Sequence, residues 1–196
     1  MGASRSAPKQ ADTRTRLIDA ALVVVARDGL GEANVKAIAQ EAGITPGLLH
    51  YHFASKDELL FAAVERAGAE YVAALDALIA AHDGAAIFDA YLGFAAGALE
   101  EHRPLFALRL ALAVRAINEP VLAQRLAGGD AAIAARLAQV LARHAGRGAP
   151  IEQDLVGARM IKAAFEGLML SWLSRPDFPM EEALARFAAA VRIAAI

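Results

Sequence analysis

The stretch from Asn34 to Phe53, NVKAIAQEAGITPGLLHYHF, constrains the fold of this chain more than any other. Gly43 stands where a tight turn between two helices needs a positive φ, which glycine adopts without a Cβ penalty. Thr45 suits the N-cap of a second helix, and Pro46 suits its first position, where the missing N–H costs nothing. The pattern predicts two short helices joined by a tight turn.

The second of these helices has an inward and an outward face. Leu49 and Phe53, spaced i and i+4, are predicted to anchor it in the core. The outward face then consists of Gly47, Leu48, His50 and Tyr51. A helix-turn-helix motif uses such a helix to enter the major groove of DNA. The sequence therefore predicts a helix-turn-helix.

A longer segment, Thr13 to Val64 (TRTRLIDAALVVVARDGLGEANVKAIAQEAGITPGLLHYHFASKDELLFAAV), resembles the N-terminal domain of the TetR family of bacterial transcriptional regulators. The resemblance rests on the helix-turn-helix and on the aromatic–His–Phe run followed by Ser-Lys-Asp. It implies a three-helix DNA-binding domain followed by a helical domain that binds a small-molecule effector and dimerises. The remaining two thirds of the chain resembles the family in length and helical character alone.

Individual roles at the DNA face follow from position. Gly47 lets the backbone approach the duplex, Leu48 suits a thymine methyl group, and Tyr51 suits a base edge or a phosphate. The resemblance implies phosphate contacts for Thr45, His50 and Lys56. The candidate DNA-binding residues are Asn34, Lys36, Thr45, Pro46, Gly47, Leu48, His50, Tyr51, His52 and Lys56.

Three of these positions depart from the family. A basic residue is frequent where Pro46 stands, a threonine where Leu48 stands and a tyrosine where His50 stands. These departures bear on the operator sequence and the affinity, not on the fold.

Composition favours an all-α fold, since the chain is rich in Ala and Leu and 6% aromatic. It has no Cys, which excludes disulfides and thiolate metal sites. Its longest uncharged apolar run, Ala90 to Leu99, is far shorter than the roughly 20 residues that span a bilayer, and the N-terminus lacks an apolar signal core. We therefore expect a cytoplasmic protein without membrane contact.

The net charge of −2 does not by itself favour DNA. The arrangement of charge does, because the segment from Arg5 to Arg16 holds the cations Arg5, Lys9, Arg14 and Arg16 against Asp12. Phosphate contacts supply much of the affinity for DNA, so a basic N-terminal segment suits such contacts. The equally weighted alternative is that this segment is a solvated terminus with no role in DNA binding.

Proline and glycine residues mark the predicted helix ends and so divide the chain into segments. Residues 1–12 are predicted to be a disordered tail, residues 13–55 the DNA-binding domain, and residues 56–196 the effector-binding and dimerisation domain. A long helix from about Lys56 to Ala81 is the expected lever, with Ser55 as its cap. The further helices are predicted at Ala85–Glu101, Pro104–Ala116, Pro120–Ala145, Ile151–Leu173 and Met180–Ala195.

The last two helices favour a homodimer. The helix at Ile151–Leu173 is apolar nearly all round, so it needs partners on two sides. Two copies related by a twofold axis form a four-helix bundle that covers both sides. The alternative is that helices of the same chain cover the second side.

Large apolar side chains with a few polar groups predict a small-molecule site in the second domain. The candidate ligand-binding residues are Phe88, Tyr91, Phe94, Phe106, Arg109, Phe165, Met169 and Trp172, with Arg115, Asn118, Arg159 and Glu166 as further polar groups. Aromatic residues at helical spacing are more often core, and a second domain that binds a protein partner is the alternative function.

Catalytic and metal sites are not expected. The sequence has no phosphate-binding loop, no nucleophile elbow and no paired carboxylates in one apolar setting. His50 and His52 are spaced i and i+2, unlike the i and i+4 pair of a helical zinc site. We expect neither cofactor nor metal, and a helical enzyme is the least favoured alternative.

Overall fold

The computed structural model describes residues 6–194 of the chain. Within that range the secondary structure consists of nine α-helices. They are α1 (Ser6–Asp28), α2 (Val35–Glu41), α3 (Pro46–His52), α4 (Lys56–Ala81), α5 (Ala85–Glu101), α6 (Arg103–Ala116), α7 (Pro120–His144), α8 (Glu152–Ser174) and α9 (Met180–Ala194). The predicted all-α class is confirmed, and the predicted helix ends agree closely from α2 onwards.

The first helix begins earlier than the sequence predicted. It starts at Ser6, whereas disorder was expected through residue 12 and helix from Thr13. Pro8 falls in the first turn, where its missing N–H removes no helical hydrogen bond, so the proline does not block the helix. Residues 1–5 of the predicted tail lie outside the described part.

The chain divides into two compact units, with the boundary between Ala67 and Gly68. The first unit is the three-helix domain with the start of α4, and its core includes Leu17, Val24, Ile38, Leu49, Phe53 and Leu59. The division falls inside α4, so this helix belongs to both units. The domain boundary predicted at residue 55 stays a prediction, and it falls directly before the start of α4.

Local hydrogen bonds fix the start of α4. The Ser55 hydroxyl accepts from the Glu58 N–H at 3.1 Å, and the Glu58 carboxylate accepts from the Ala54 N–H at 2.7 Å. This reciprocal arrangement closely resembles a capping box, which satisfies two N–H groups near a helix start. The predicted cap at Ser55 is therefore present.

The second unit is built around α7 and α8, which share its most extensive packing. Leu75, Ile87, Phe88, Leu137 and Ala138 are among the buried residues of its core. α7 and α8 approach closely at Gly157, where an added Cβ would lie 3.3 Å from Leu141 Cδ1.

Two arginines of α7 hold the C-terminal part of α4. Arg136 donates to both carboxylate oxygens of Asp76, at 2.9 and 3.1 Å. Arg143 donates to the Ile79 carbonyl and, at 3.1 Å, to the Asp83 carboxylate. Because Ile79 is in the last turn of α4, Arg143 satisfies one of the carbonyls that a helix end leaves without an intrahelical partner. We call Arg136 and Arg143 the arginine clamp.

An apolar strip of α8 remains uncovered in the single chain. Val156, Met160 and Leu170 are 48%, 67% and 56% exposed. Ala163 and Gly167 are exposed between them. The spacing of 156, 160, 163, 167 and 170 alternates between four and three residues, as in the seams of packed helices. No helix in the described range is both long and apolar enough to span a membrane.

Candidate nucleic-acid interface and ligand cavity

The turn between α2 and α3 is held by backbone geometry. Gly43 has φ of +66°, as its place in the sequence predicted. The Ile44 N–H donates to the Ala39 carbonyl at 2.9 Å, and the Gly43 N–H donates to the Gln40 carbonyl at 3.1 Å. A side chain at Gly43 would be strained by its φ, and an added Cβ would also lie 3.4 Å from Arg16 Nη2.

One buried face anchors α3. Leu49 is fully buried and Phe53 is 1% exposed, as predicted from their spacing. The opposite residues Pro46, Gly47, Leu48, His50 and Tyr51 are all exposed. Tyr51 is 68% exposed, although an aromatic ring of its size favours burial. The helix therefore presents a continuous exposed surface on a firmly anchored base.

The other DNA candidates differ in how free their side chains are. Asn34 is engaged locally, since its Oδ1 accepts from the Ala37 N–H at 3.0 Å and its Nδ2 donates to the Glu32 carbonyl at 3.1 Å. Thr45 is exposed and occupies the N-cap position of α3, but its hydroxyl makes no capping hydrogen bond.

The remaining candidates lie on α2, α3 and α4. Lys36 is exposed, whereas His52 and Lys56 are half-buried. The rings of Tyr51 and His52 meet edge to face with centroids 5.3 Å apart. The predicted residues thus cluster on α3 and the starts of α2 and α4.

Two of the N-terminal cations have structural roles. The Arg14 guanidinium lies over the Phe53 ring, 4.8 Å from its centroid. Arg16 donates to the Ala42 carbonyl at the end of α2. These contacts stabilise the position of the helix-turn-helix on α1. Arg5 lies outside the described residues, as does the side chain of Lys9.

A third arginine is neutralised on the surface. Arg27 donates to Asp28 at 2.9 Å and to Glu41 at 2.8 Å, which joins α1 to α2. The hydrogen bond from Arg27 lowers the pKa of Asp28. The positive charge of Arg27 is therefore already paired within the first unit.

A cavity of about 380 Å³ lies between α5, α8 and α9 in the second unit. Two predicted ligand-binding residues, Tyr91 and Phe165, line it. The α9 residues Phe187, Ala188 and Arg192 line its other side. Sequence reasoning missed these α9 positions because it assigned the whole helix to dimerisation.

The other predicted ligand-binding aromatics do not meet in this cavity. Phe88 and Met169 are 1% and 3% exposed and belong to the interior. Phe94 packs against the Tyr71 ring, with centroids 4.9 Å apart. Phe106 is half-buried, and the Trp172 ring is covered by the Arg103 guanidinium at 4.4 Å.

Arg109 belongs to an ion-pair cluster with residues of two other helices. Arg109 of α6 pairs with Asp130 of α7 and, at 2.8 Å, with Glu166 of α8. Lys162 of α8 pairs with the same two carboxylates at 3.0 and 2.6 Å. The Arg109 and Lys162 side chains are 16% and 15% exposed. These ion pairs explain why charged residues occur on otherwise apolar helices. The other predicted polar groups, Arg115, Asn118 and Arg159, are exposed.

Comparison with known proteins identifies the first unit. Residues 17–63 match the family described as bacterial regulatory proteins of the tetR family. The nicotine-responsive transcriptional repressor HdnoR of Paenarthrobacter nicotinovorans is 46% identical over 52 residues, which are 26% of this chain and 27% of the relative. The chain covers 26–43% of the length of the first curated relatives that it matches.

Solved structures extend the similarity to almost the whole chain. A transcriptional regulator from Rhodococcus sp. Rha1 has a TM-score of 0.74 at 26% identity, over 92% of this chain and 94% of that one. The multidrug binding protein EbrR, solved with imidazole, has a TM-score of 0.63 at 28% identity, over 90% and 93%. The family match at the helix-turn-helix and the shared fold confirm the resemblance of the chain to the TetR family of bacterial regulatory proteins.

Proposed function

We propose that this protein is a homodimeric transcriptional repressor that a small-molecule effector releases from its operator. The observation that carries the proposal is the exposed surface of α3 on the buried anchor Leu49, in a chain whose first unit matches this regulator family. Such a regulator acts on DNA in the cytoplasm. The match of the first unit to a regulator family speaks against the enzyme alternative.

In this proposal α3 reads the major groove. Leu48 and Tyr51 contact base edges, since both are exposed on the outward face. Gly47 brings the backbone close to the duplex. Thr45, Pro46, His50 and His52 lie around them, and the Thr45 hydroxyl has no capping bond to compete with a phosphate.

Residues at the starts of α2 and α4 complete the surface. Lys36 and Lys56 supply cations for the DNA backbone. Asn34 uses its side chain to cap α2, so its contribution is to position the N–H groups at that helix start, which favour a phosphate.

The proposed dimer uses the exposed strip of α8 together with α9. Val156, Met160 and Leu170 would otherwise leave a contiguous apolar surface in water, which is typical of an interaction site. A twofold axis brings the same strip of a second copy against it, because a two-fold interface uses the same surface patch on both subunits.

The arginine clamp supplies a route from effector to DNA. α4 runs through both units, and Arg136 and Arg143 tie its C-terminal part to α7. An effector that shifts α7 therefore shifts α4 and changes the separation of the two copies of α3. A changed separation no longer matches two successive major grooves.

Fluorescence anisotropy on labelled DNA from the gene's own upstream region tests the proposal. The native chain, Tyr51→Ala and a control, Val23→Ala, are measured at two salt concentrations. Val23 is 46% exposed on α1, outside the helix-turn-helix. We expect salt-sensitive binding by the native chain and the control, and loss of binding or of selectivity for Tyr51→Ala.

Two outcomes would contradict the proposed function or the role of α3. If the native chain does not bind this DNA, selection from random genomic fragments shows whether the operator lies elsewhere. Enrichment of no fragment would contradict the regulator function. Equal affinity of Tyr51→Ala and the native chain would contradict the role of α3.

A further inference from the structure

The cavity between α5, α8 and α9 has the size of a small-molecule site. Its volume of about 380 Å³ lies within the roughly 300–1,000 Å³ that ligand pockets occupy. It is bounded by side chains of three helices in one unit. The space is therefore a candidate for a compact ligand.

The side chains that line the cavity favour a ligand with an apolar body. The rings of Tyr91, Phe165 and Phe187 line it together with small residues such as Gly93 and Ala188. The Tyr91 hydroxyl is hydrogen-bonded to Tyr71, so this group is already satisfied. A hydrocarbon chain or an aromatic ring fits such walls, because it loses no hydrogen bonds to water on entry.

The described lining of the cavity includes a positively charged side chain. Arg192 of α9 is the charged residue among the described side chains that line it. Its partner is Asp89 of α5, and the two side chains are 48% and 63% exposed. Ion pairs this exposed contribute little to stability. A carboxylate from a ligand can therefore replace Asp89 at small cost and form the paired hydrogen bonds that guanidinium groups favour.

We propose that this cavity binds an amphipathic monocarboxylate, with its apolar body against Phe165 and Phe187 and its carboxylate on Arg192. The inference rests on the proposed function, since such a ligand would be the effector. An amine is disfavoured because Arg192, not Asp89, lines the cavity. A neutral ligand gains the apolar contacts without the ion pair.

Isothermal titration of the full chain without DNA tests the ligand class. The probes are octanoate, octanol and octylamine, which share one hydrocarbon chain and differ in the head group. We expect saturable binding of octanoate, binding of octanol weaker by about tenfold or more, and weakest binding of octylamine. Equal binding of octanoate and octanol would overturn the proposal.

Three variants locate the site. Arg192→Gln is expected to weaken the binding of octanoate by about tenfold and to leave the binding of octanol unchanged. Arg186→Gln is the matched control, since Arg186 lies on the same helix, is 79% exposed and pairs with Glu182. Gly93→Leu adds a large side chain to the lining of the cavity, where an added Cβ meets no atom within 4 Å. It is expected to abolish octanoate binding without lowering the melting temperature, because glycine is the weaker helix former.

The outcomes separate this inference from the proposed function. Octanoate binding that is insensitive to both Arg192→Gln and Gly93→Leu would overturn the cavity as the site. Octanoate binding that depends on Arg192 but leaves DNA affinity unchanged would keep the cavity and overturn its role as the effector site. If the native chain did not bind DNA, the proposed function would be contradicted, and the titration would still show whether the cavity binds octanoate.

Discussion

Gly47 exposes the backbone of α3 at the position where the proposed complex brings the duplex closest. A Cβ added there meets no atom within 4 Å in the free protein. We expect Gly47→Ala to retain or slightly raise the free energy of unfolding, because alanine is favoured over glycine in a helix by about 0.5–1 kcal/mol. We expect its operator affinity to fall by about tenfold or more, since the added methyl group would meet the DNA.

Urea unfolding and anisotropy measure the two effects in Gly47→Ala. Gly31→Ala is the matched control, since a Cβ at Gly31 also meets no atom within 4 Å and Gly31 lies outside the helix-turn-helix. An unchanged operator affinity in Gly47→Ala would show that the backbone does not approach the duplex at this residue.

The hydrogen-bonded tyrosines Tyr71 and Tyr91 make stability sensitive to alkaline pH. Burial raises the pKa of Tyr71 to about 12 and that of Tyr91 well above its usual value of 10.0. The folded state therefore holds these protons more tightly than the unfolded state. The contribution of Tyr71 is complete below pH 10 and is lost as the pH rises towards 12, and the contribution of Tyr91 falls from pH 10 upwards.

Urea unfolding across this pH range checks the tyrosine prediction. We expect the free energy of unfolding of the native chain to fall more steeply above pH 10 than that of the double variant Tyr71→Phe, Tyr91→Phe. Tyr51→Phe, at an exposed tyrosine, is the control and is expected to follow the native curve. Equal slopes for the native chain and the double variant would contradict the prediction.

At the scale of elements, the arginine clamp determines how firmly the end of α4 is held. Arg143→Met removes the donor to the Ile79 carbonyl and to Asp83. We expect amide hydrogen exchange in the last turns of α4 to accelerate about tenfold, because a helix end that loses its partner opens more readily. Arg186→Met, at an exposed arginine of α9, is the control. Unchanged exchange would show that the clamp does not hold α4.

Helix boundaries were predictable from the sequence because their signals are local. The predicted bounds of α5 agree with the structure, and α7 begins at Pro120 as expected. Gly43 and Ser55 likewise act through their own backbone and their nearest neighbours. The start of α1 was missed, since a proline in the first turn of a helix leaves the same sequence signal as a proline in a disordered tail.

The candidate ligand cavity was less predictable because it depends on packing between distant segments. Phe88 and Phe165 are both aromatic residues on predicted apolar helices. Phe88 is nevertheless buried in the core, whereas Phe165 lines the cavity. Arg109 was expected to meet a ligand, whereas Asp130 and Glu166 from two other helices neutralise it. Which helices pack together decides these outcomes, and a single sequence does not record that packing.

At the scale of the whole molecule, the proposed dimer connects the uncovered strip of α8 to DNA binding. Reading two half-sites requires two copies of α3, and the affinity of one copy is far weaker than that of a pair held at a fixed separation. Met160 is 67% exposed in the single chain, so Met160→Glu leaves the protomer fold intact. In the proposed dimer the same change buries a carboxylate against an apolar surface, which strongly disfavours association.

We therefore expect Met160→Glu to sediment as a folded monomer with native circular dichroism and to lose most of its operator affinity. Val114→Glu is the matched control, because Val114 is 65% exposed on α6, outside the two helices of the proposed dimer interface. The control is expected to remain dimeric and to bind the operator as the native chain does. If Met160→Glu remained a dimer, or if Val114→Glu dissociated in its place, a surface other than α8 would join the two copies. The coupling of α4 to DNA spacing would then need a different axis of symmetry.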